Sequence, residues 1–197
     1  MAKKGNVRRK TTETDIQIDF VLYGKGSYRI KTGVAFLDHM LSLFAKHGLF
    51  DVVIKASGDL DVDIHHTNED IAIALGQAFS TALGNRAGIK RFGEATVPMD
   101  EALVRVALDI SGRPFLKFRA DKIKVSAAGG GYSLNYLEQF LRAFVFNTGI
   151  TLHVDVFEGK DLHHILEAVF KAFAKALSRA AERQPRSKSI PSTKGRI

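Results

Sequence analysis

Apolar residues recur at helical spacing in one stretch of the chain, and again about one hundred residues later. In Phe36-Leu-Asp-His-Met-Leu-Ser-Leu-Phe-Ala-Lys-His47, Leu37, Leu41 and Phe44 sit at i, i+4 and i+7. Leu137, Leu141 and Phe144 repeat that spacing in Tyr136-Leu-Glu-Gln-Phe-Leu-Arg-Ala-Phe-Val-Phe-Asn147. Each set lines one face of a helix. A β-like run follows each, Phe50 to Ile54 and Ile150 to Val156. Next come Asp63-Ile-His-His-Thr-Asn-Glu69 and Asp161-Leu-His-His-Ile-Leu-Glu167, each opening a long apolar-periodic helix, roughly 66–83 and 164–182.

Strand signals fill the spaces between. Asp15 to Leu22 and Ser27 to Ile30 predict a strand pair joined through Gly24 and Gly26. Leu103 to Ile110 and Pro114 to Phe118 predict a second pair, punctuated by the turn Gly112-Arg113-Pro114. Gly129-Gly130-Gly131 marks a flexible loop before the later helices. Strand, strand, helix, strand, helix in each half predicts an α+β fold. It has two tandem similar halves, 1–95 and 96–197, with helices on one face of each sheet.

With 197 residues and 45% hydrophobic content, the chain holds enough apolar surface for such a core. No apolar run approaches the roughly 18 residues of a membrane span. Met1-Ala2-Lys3-Lys4 is followed by no apolar stretch, which predicts no secretory signal and a cytoplasmic location. Cysteine is absent, excluding disulfides, thiolate metal sites and cysteine nucleophiles. The net charge of +8 raises the question of nucleic acid. Its distribution argues against it. Residues 1–10 and 183–197 each carry five of the 29 basic side chains and no acidic one, leaving a slightly acidic body. The basic ends are either solvated tails or arms toward an anionic ligand.

Chemistry concentrates in the histidines. Of seven, four form the two His-His-x-x-Glu motifs at matching places in the repeat, which points to metal binding. Adjacent helical residues point about 100° apart, so His65 and His66 serve different ions, as do His163 and His164. Glu69 and Glu167 lie a turn further along and complete one ion each. His39 adds a fifth imidazole. Imidazole and carboxylate without thiolate admit Mn, Fe, Co, Ni or Zn. His153, between Leu152 and Val154, reads as a structural strand residue. His47 either lines the cavity of His39 or caps its helix. Asp70, whose repeat counterpart is Ala168, reads as a supporting acid.

Six ordered segments make the chain recognisable: Phe36-Leu-Asp-His-Met40, Asp63 to Asp70, Val97-Pro-Met-Asp-Glu-Ala102, Ser111-Gly-Arg-Pro114, His163-His-Ile-Leu-Glu-Ala168 and Ile190-Pro-Ser-Thr-Lys-Gly195. Together they resemble the imidazoleglycerol-phosphate dehydratases of histidine biosynthesis, from about Arg9 to the C-terminus. The resemblance implies two ribosomal-S5-domain-2-like halves, two manganese ions per active site, and a 24-subunit shell with sites at subunit contacts. It implies a small phosphorylated imidazole substrate, with no nucleic-acid or membrane partner. It places metal ligands at His39, His65, His66, Glu69, His163, His164 and Glu167, and the acid/base glutamate at Glu13. It places substrate contacts at Arg91, Arg113, Lys171, Ser192 and Lys194, to which His47 and Thr193 are added.

One position departs. Many relatives carry a ligating histidine where this chain has Gln139, which is also the repeat counterpart of His39. An amide oxygen is a poorer donor than imidazole to such ions. Gln139 therefore ligates weakly, is replaced by water or another side chain, or supports a ligand from behind. Two other classes compete. A dimetal hydrolase of small phosphorylated substrates would use the same donors. An RNA-binding protein would use the charge, but no recognition motif or stacking-aromatic pattern accompanies it.

Overall fold

The first half runs β1 (Lys4–Lys10), β2 (Thr14–Val21), β3 (Tyr28–Lys31), α1 (Ala35–Gly48), β4 (Asp51–Gly58) and α2 (His65–Leu83). The second repeats it as β5 (Phe92–Met99), β6 (Ala102–Asp109), β7 (Phe115–Arg119), α3 (Leu134–Thr148), β8 (Thr151–Glu158) and α4 (Leu162–Ala181). The computed structural model describes residues 3–121, 123, 125 and 131–197; Gly129 and Gly130 of the expected loop lie outside them.

Each half is a four-stranded sheet, ordered β1-β2-β4-β3 and β5-β6-β8-β7. The central strands obey the period-2 rule. Ile16, Ile18 and Phe20 of β2, and Val104, Val106 and Leu108 of β6, turn inward and are buried. Helices cover only that inner face. α2 rests on β1 and β2, and α4 on β5 and β6. The helical layers then pack on each other across the halves, α1 along α4 and α2 along α3. Phe44 meets Phe173 with ring centroids 5.5 Å apart, and Phe79 meets Phe144 at 6.0 Å. One apolar core runs through both halves. None of the described helices is long and apolar enough to cross a membrane.

Three sequence expectations need correction. First, β2 and β3 are not partners, nor are β6 and β7. β4 pairs antiparallel with β2 and parallel with β3, and β8 does the same for β6 and β7. The connection after β2 is long enough to step over one strand, about 10 Å across two strand spacings. Second, each half has an extra leading strand. Lys4-Gly-Asn-Val-Arg-Arg-Lys10 offers one apolar residue, so no alternation announces β1. Ladder bonds to β2 and a close helix hold it instead. A Cβ at Gly5 would lie 1.9 Å from the Ala78 carbonyl oxygen, and one at Gly93 in β5 would lie 2.0 Å from that of Ala176. Third, β5 starts at Phe92 and pairs wholly with β6, so the change of sheet precedes residue 95.

Candidate active site

Cross-half packing decides which histidines meet. α1 carries His39 against the start of α4, where Nε2 lies 3.0 Å from Glu167 Oε1. His163 Nε2 lies 3.2 Å from the same oxygen. Cis ligands about 2.1 Å from an octahedral ion sit about 3 Å apart, so these three donors fit one divalent cation. Burial opposes ionisation of Glu167. Hydrogen bonds from Lys171, His39 and His163 overcome it and hold its pKa at about 2. Lys171 Nζ lies 2.5 Å from the other carboxylate oxygen. A cleft of about 560 Å³ opens beside the cluster, lined by Phe36, His39, Leu60, Ile64 and His163.

The two His-His pairs split as the 100° rule requires. His65 Nε2 faces Glu69 at 3.5 Å, as His163 faces Glu167. His66 Nδ1 instead meets Asp59 Oδ2 at 2.8 Å, with Glu13 Oε2 at 3.7 Å. His164 Nδ1 meets Glu101 Oε2 at 2.8 Å. Within each pair the rings are nearly perpendicular, 85° and 79°. Asp59 and Glu101 hold His66 and His164 more basic than ordinary imidazoles. Glu13, Asp59 and His66 form a second group of metal-compatible donors, and Asp59 Oδ1 is buried without a hydrogen-bond partner among the described residues.

By the repeat, the counterparts of His39, His163 and Glu167 are Gln139, His65 and Glu69. Gln139 lies on α3, whose start is tied to α2 by two hydrogen bonds. Tyr132 Oη donates to Asn68 Oδ1 at 2.8 Å, and Asn68 Nδ2 donates to the Tyr136 carbonyl at 2.9 Å. Gln139 Oε1 is buried and has no hydrogen-bond partner among the described residues.

The expected substrate-binding residues divide. Arg91, at φ 75°, bonds Asp109 through two nitrogens at 2.6 and 3.0 Å and donates to the Pro191 carbonyl at 2.8 Å. It anchors the tail that carries Ser192, Thr193 and Lys194. The end of that tail reaches the Gly112-Arg113 turn, where Ile197 lies against Gly112. Arg113 is exposed; its backbone and guanidinium bond Ser111 in its own turn, and its carbonyl accepts from Thr151 Oγ1 at 3.2 Å. The basic C-terminal segment is thus docked, with Gly88 N–H donating to Ser189 O and Gln184 N–H to Gly88 O. The basic N-terminal segment is β1. Lys171 lies apart, on Glu167. His47 ends α1 and is pushed below the usual imidazole value by burial and by Lys171 and Lys175. His153 sits in β8 opposite Ala107, as a strand residue.

Sequence reading overlooked Asp59 and Glu101. Glu101 is the counterpart of Glu13, because β2 and β6 begin one residue after each. The signal was hidden by spacing. β3 ends four residues before α1 begins, whereas β7 ends fifteen before α3, so the repeat changes offset there. The twins behave differently. Glu101 accepts from the backbone N–H groups of Asp161 at 2.7 Å and Lys160 at 3.0 Å, and from His164. Those bonds, Asp161's first, hold its pKa at about 2. Glu13 is half exposed, and among the described residues no such bonds reach its carboxylate.

In the metal-free chain Glu101 and Glu167 titrate at about 2 when folded and near 4.5 ordinarily, so their stabilisation is complete above 4.5 and lost as pH falls toward 2. Urea midpoints should drop across that window, and Glu101→Gln should flatten the slope. An unchanged slope in the variant would count against this role for Glu101.

Residues 32–177 match the imidazoleglycerol-phosphate dehydratase family model. This chain belongs to that family. It is a hydro-lyase. The dehydratase of Caldanaerobacter subterraneus subsp. tengcongensis is 54% identical, with 98% of each chain covered. That of Acetivibrio thermocellus is 52% identical over the whole of both. Among solved structures, the Pyrococcus furiosus enzyme superimposes with a TM-score of 0.84 at 37% identity, covering 97% of this chain and 100% of that one. The Staphylococcus aureus enzyme gives 0.81 at 37%, covering 91% and 99%.

Proposed function

We propose that this chain removes water from imidazole glycerol phosphate to give imidazole acetol phosphate, with two manganese ions per active site and Glu13 as acid/base. The carrying observation is the convergence of His39, His163 and Glu167 across the two halves, while Glu13 stays free beside His66. Nitrogen and oxygen donors without thiolate suit manganese.

His39, His163 and Glu167 would hold one ion, and His65 with Glu69 the other. His66 and His164 point away from these groups and would ligate ions of neighbouring copies. This supports a site completed by self-association, in the 24-subunit shell that the resemblance implies. When bound, the ions would act as Lewis acids on the substrate's ring nitrogens, letting the ring take up the electrons of a carbon with no carbonyl beside it. Glu13 then moves protons at the glycerol carbons, being exposed and unencumbered. Arg113 offers a forked donor to phosphate, and the tail anchored by Arg91 brings Ser192, Thr193 and Lys194 to join it.

The deciding experiment is metal analysis and turnover of imidazole glycerol phosphate by one preparation. Two manganese ions and dehydration are expected. Phosphate release without dehydration would overturn the reading in favour of a dimetal hydrolase.

Gln139 makes the two ions unequal. Its orphaned Oε1 supports a weak donor role at the His65–Glu69 ion. Titration of chelator-stripped protein should show two unequal affinities, and Gln139→His should strengthen the weaker. Equal affinities that ignore the substitution would refute this, and a weaker site harmed by it would favour a supporting role behind the ligands.

A further inference from the structure

Among the described residues the Glu13 carboxylate has no hydrogen bond to hold it, and His66 Nδ1 lies 3.7 Å away. Its position depends on the short link between β1 and β2. Thr11 Oγ1 accepts from the backbone N–H of Glu13 at 3.1 Å and of Thr14 at 3.0 Å. Thr11 N–H donates to the Thr14 carbonyl at 2.9 Å, closing the link. Thr14 Oγ1 then donates to Asp70 Oδ2 at 2.6 Å, and Arg9 Nε donates to Asp70 Oδ1 at 2.8 Å. Thr14 and Asp70 are only 4% and 7% exposed. Asp70 follows Glu69 directly on α2, so one helical turn presents His65, His66 and Glu69 and also grips the link that carries Glu13.

The second half is an internal control. Arg9 lies opposite Ile16 in the sheet as Val97 lies opposite Val104. Thr14 opens β2 as Ala102 opens β6, and Asp70 corresponds to Ala168. The trio Arg9, Thr14 and Asp70, in which Thr14 and Asp70 are buried and the Arg9 side chain is 33% exposed, is thus replaced by the buried Val97, Ala102 and Ala168. The same architecture closes with apolar groups at all three places. Well-packed apolar replacements of a buried ion pair are often neutral or stabilising, so folding alone does not call for the polar trio. What separates the halves is the glutamate. Glu101 is gripped by its own carboxylate, and Glu13 is not.

We propose that Asp70, with Arg9 and Thr14, is a positioning network that fixes Glu13 over the metal-binding turn of α2. The proposal rests on the acid/base reading of Glu13 given above. Asp70 acts through the link and touches no reacting atom. A misplacement of about 1 Å can lower a rate about 100-fold, which sets the scale of its effect.

The test transplants the second half's residues into the first, as Arg9→Val, Thr14→Ala and Asp70→Ala together in the full chain loaded with manganese. The expected result is an unchanged melting temperature and metal content, KM within about twofold, and kcat lowered about 100-fold. Adding Glu13→Gln to this background should then cost far less than it does alone, because the two changes remove one function. Thr14→Val, which removes only the hydroxyl that reaches Asp70, should give the same kcat-selective loss and serves if the triple variant fails to fold. Normal kcat in either folded variant, or an undiminished Glu13→Gln loss in the triple background, would overturn the positioning role while leaving Glu13 in place. Full turnover by Glu13→Gln in the unaltered background would instead remove the acid/base reading, and the network's purpose with it.

Discussion

Glu13→Gln is expected to lower kcat by roughly 10³-fold, within the range general acid/base groups contribute. The amide keeps the size of the carboxylate but cannot exchange protons. Glu13 is half exposed, and its link is held by Thr11 and Thr14 rather than by its own oxygens, so the change leaves the fold intact. Manganese content and KM should therefore stay within about twofold of the unaltered protein. Its twin offers a contrast. Glu101→Gln would break bonds to the start of α4, and stability should respond before turnover does. Turnover by Glu13→Gln near the normal rate would exclude Glu13 from the chemistry.

Replacing His65 and His66 together by alanine is expected to remove both ions rather than one. The two rings lie 5.8 Å apart between centroids with their planes nearly perpendicular, and they face different carboxylates, Glu69 for His65 and Asp59 with Glu13 for His66. Each imidazole thus belongs to a different donor group, and in the self-associated protein each ion loses a ligand. Metal content after dialysis, measured on the assembled protein, should fall to near zero from two per chain. One ion retained at full affinity would refute the division of each pair between two ions. Single variants should be graded, each weakening one ion and sparing the other.

Much of the plan was legible in the chain because its signals are local. Side-chain spacing identifies α1, α2, α3 and α4 within a few residues, since one face of each must be buried. The His-His-x-x-Glu repeat, with the 100° step of the helix, already says that neighbouring histidines point to different places. What remained hidden is non-local. β1 carries little apolar alternation, β5 alternates only over Ala95, Val97 and Met99, and both are held by a ladder partner and a close helix. The insertion of β4 between β2 and β3 depends on a crossover that no residue pattern encodes.

The site divides along the same line. By itself, the sequence determined which residue types are available, their placement at helix starts and the family to which they belong. Only the tertiary structure decided that His39 joins His163 and Glu167 instead of His65 and Glu69. In a repeat, both pairings satisfy the same apolar pattern, and the choice falls to packing of α1 along α4 and of α2 along α3. It also decided which of two equivalent glutamates stays free. Glu13 and Glu101 occupy matching positions, and the N–H groups of Lys160 and Asp161, which immobilise only Glu101, come from a loop about sixty residues away in the chain.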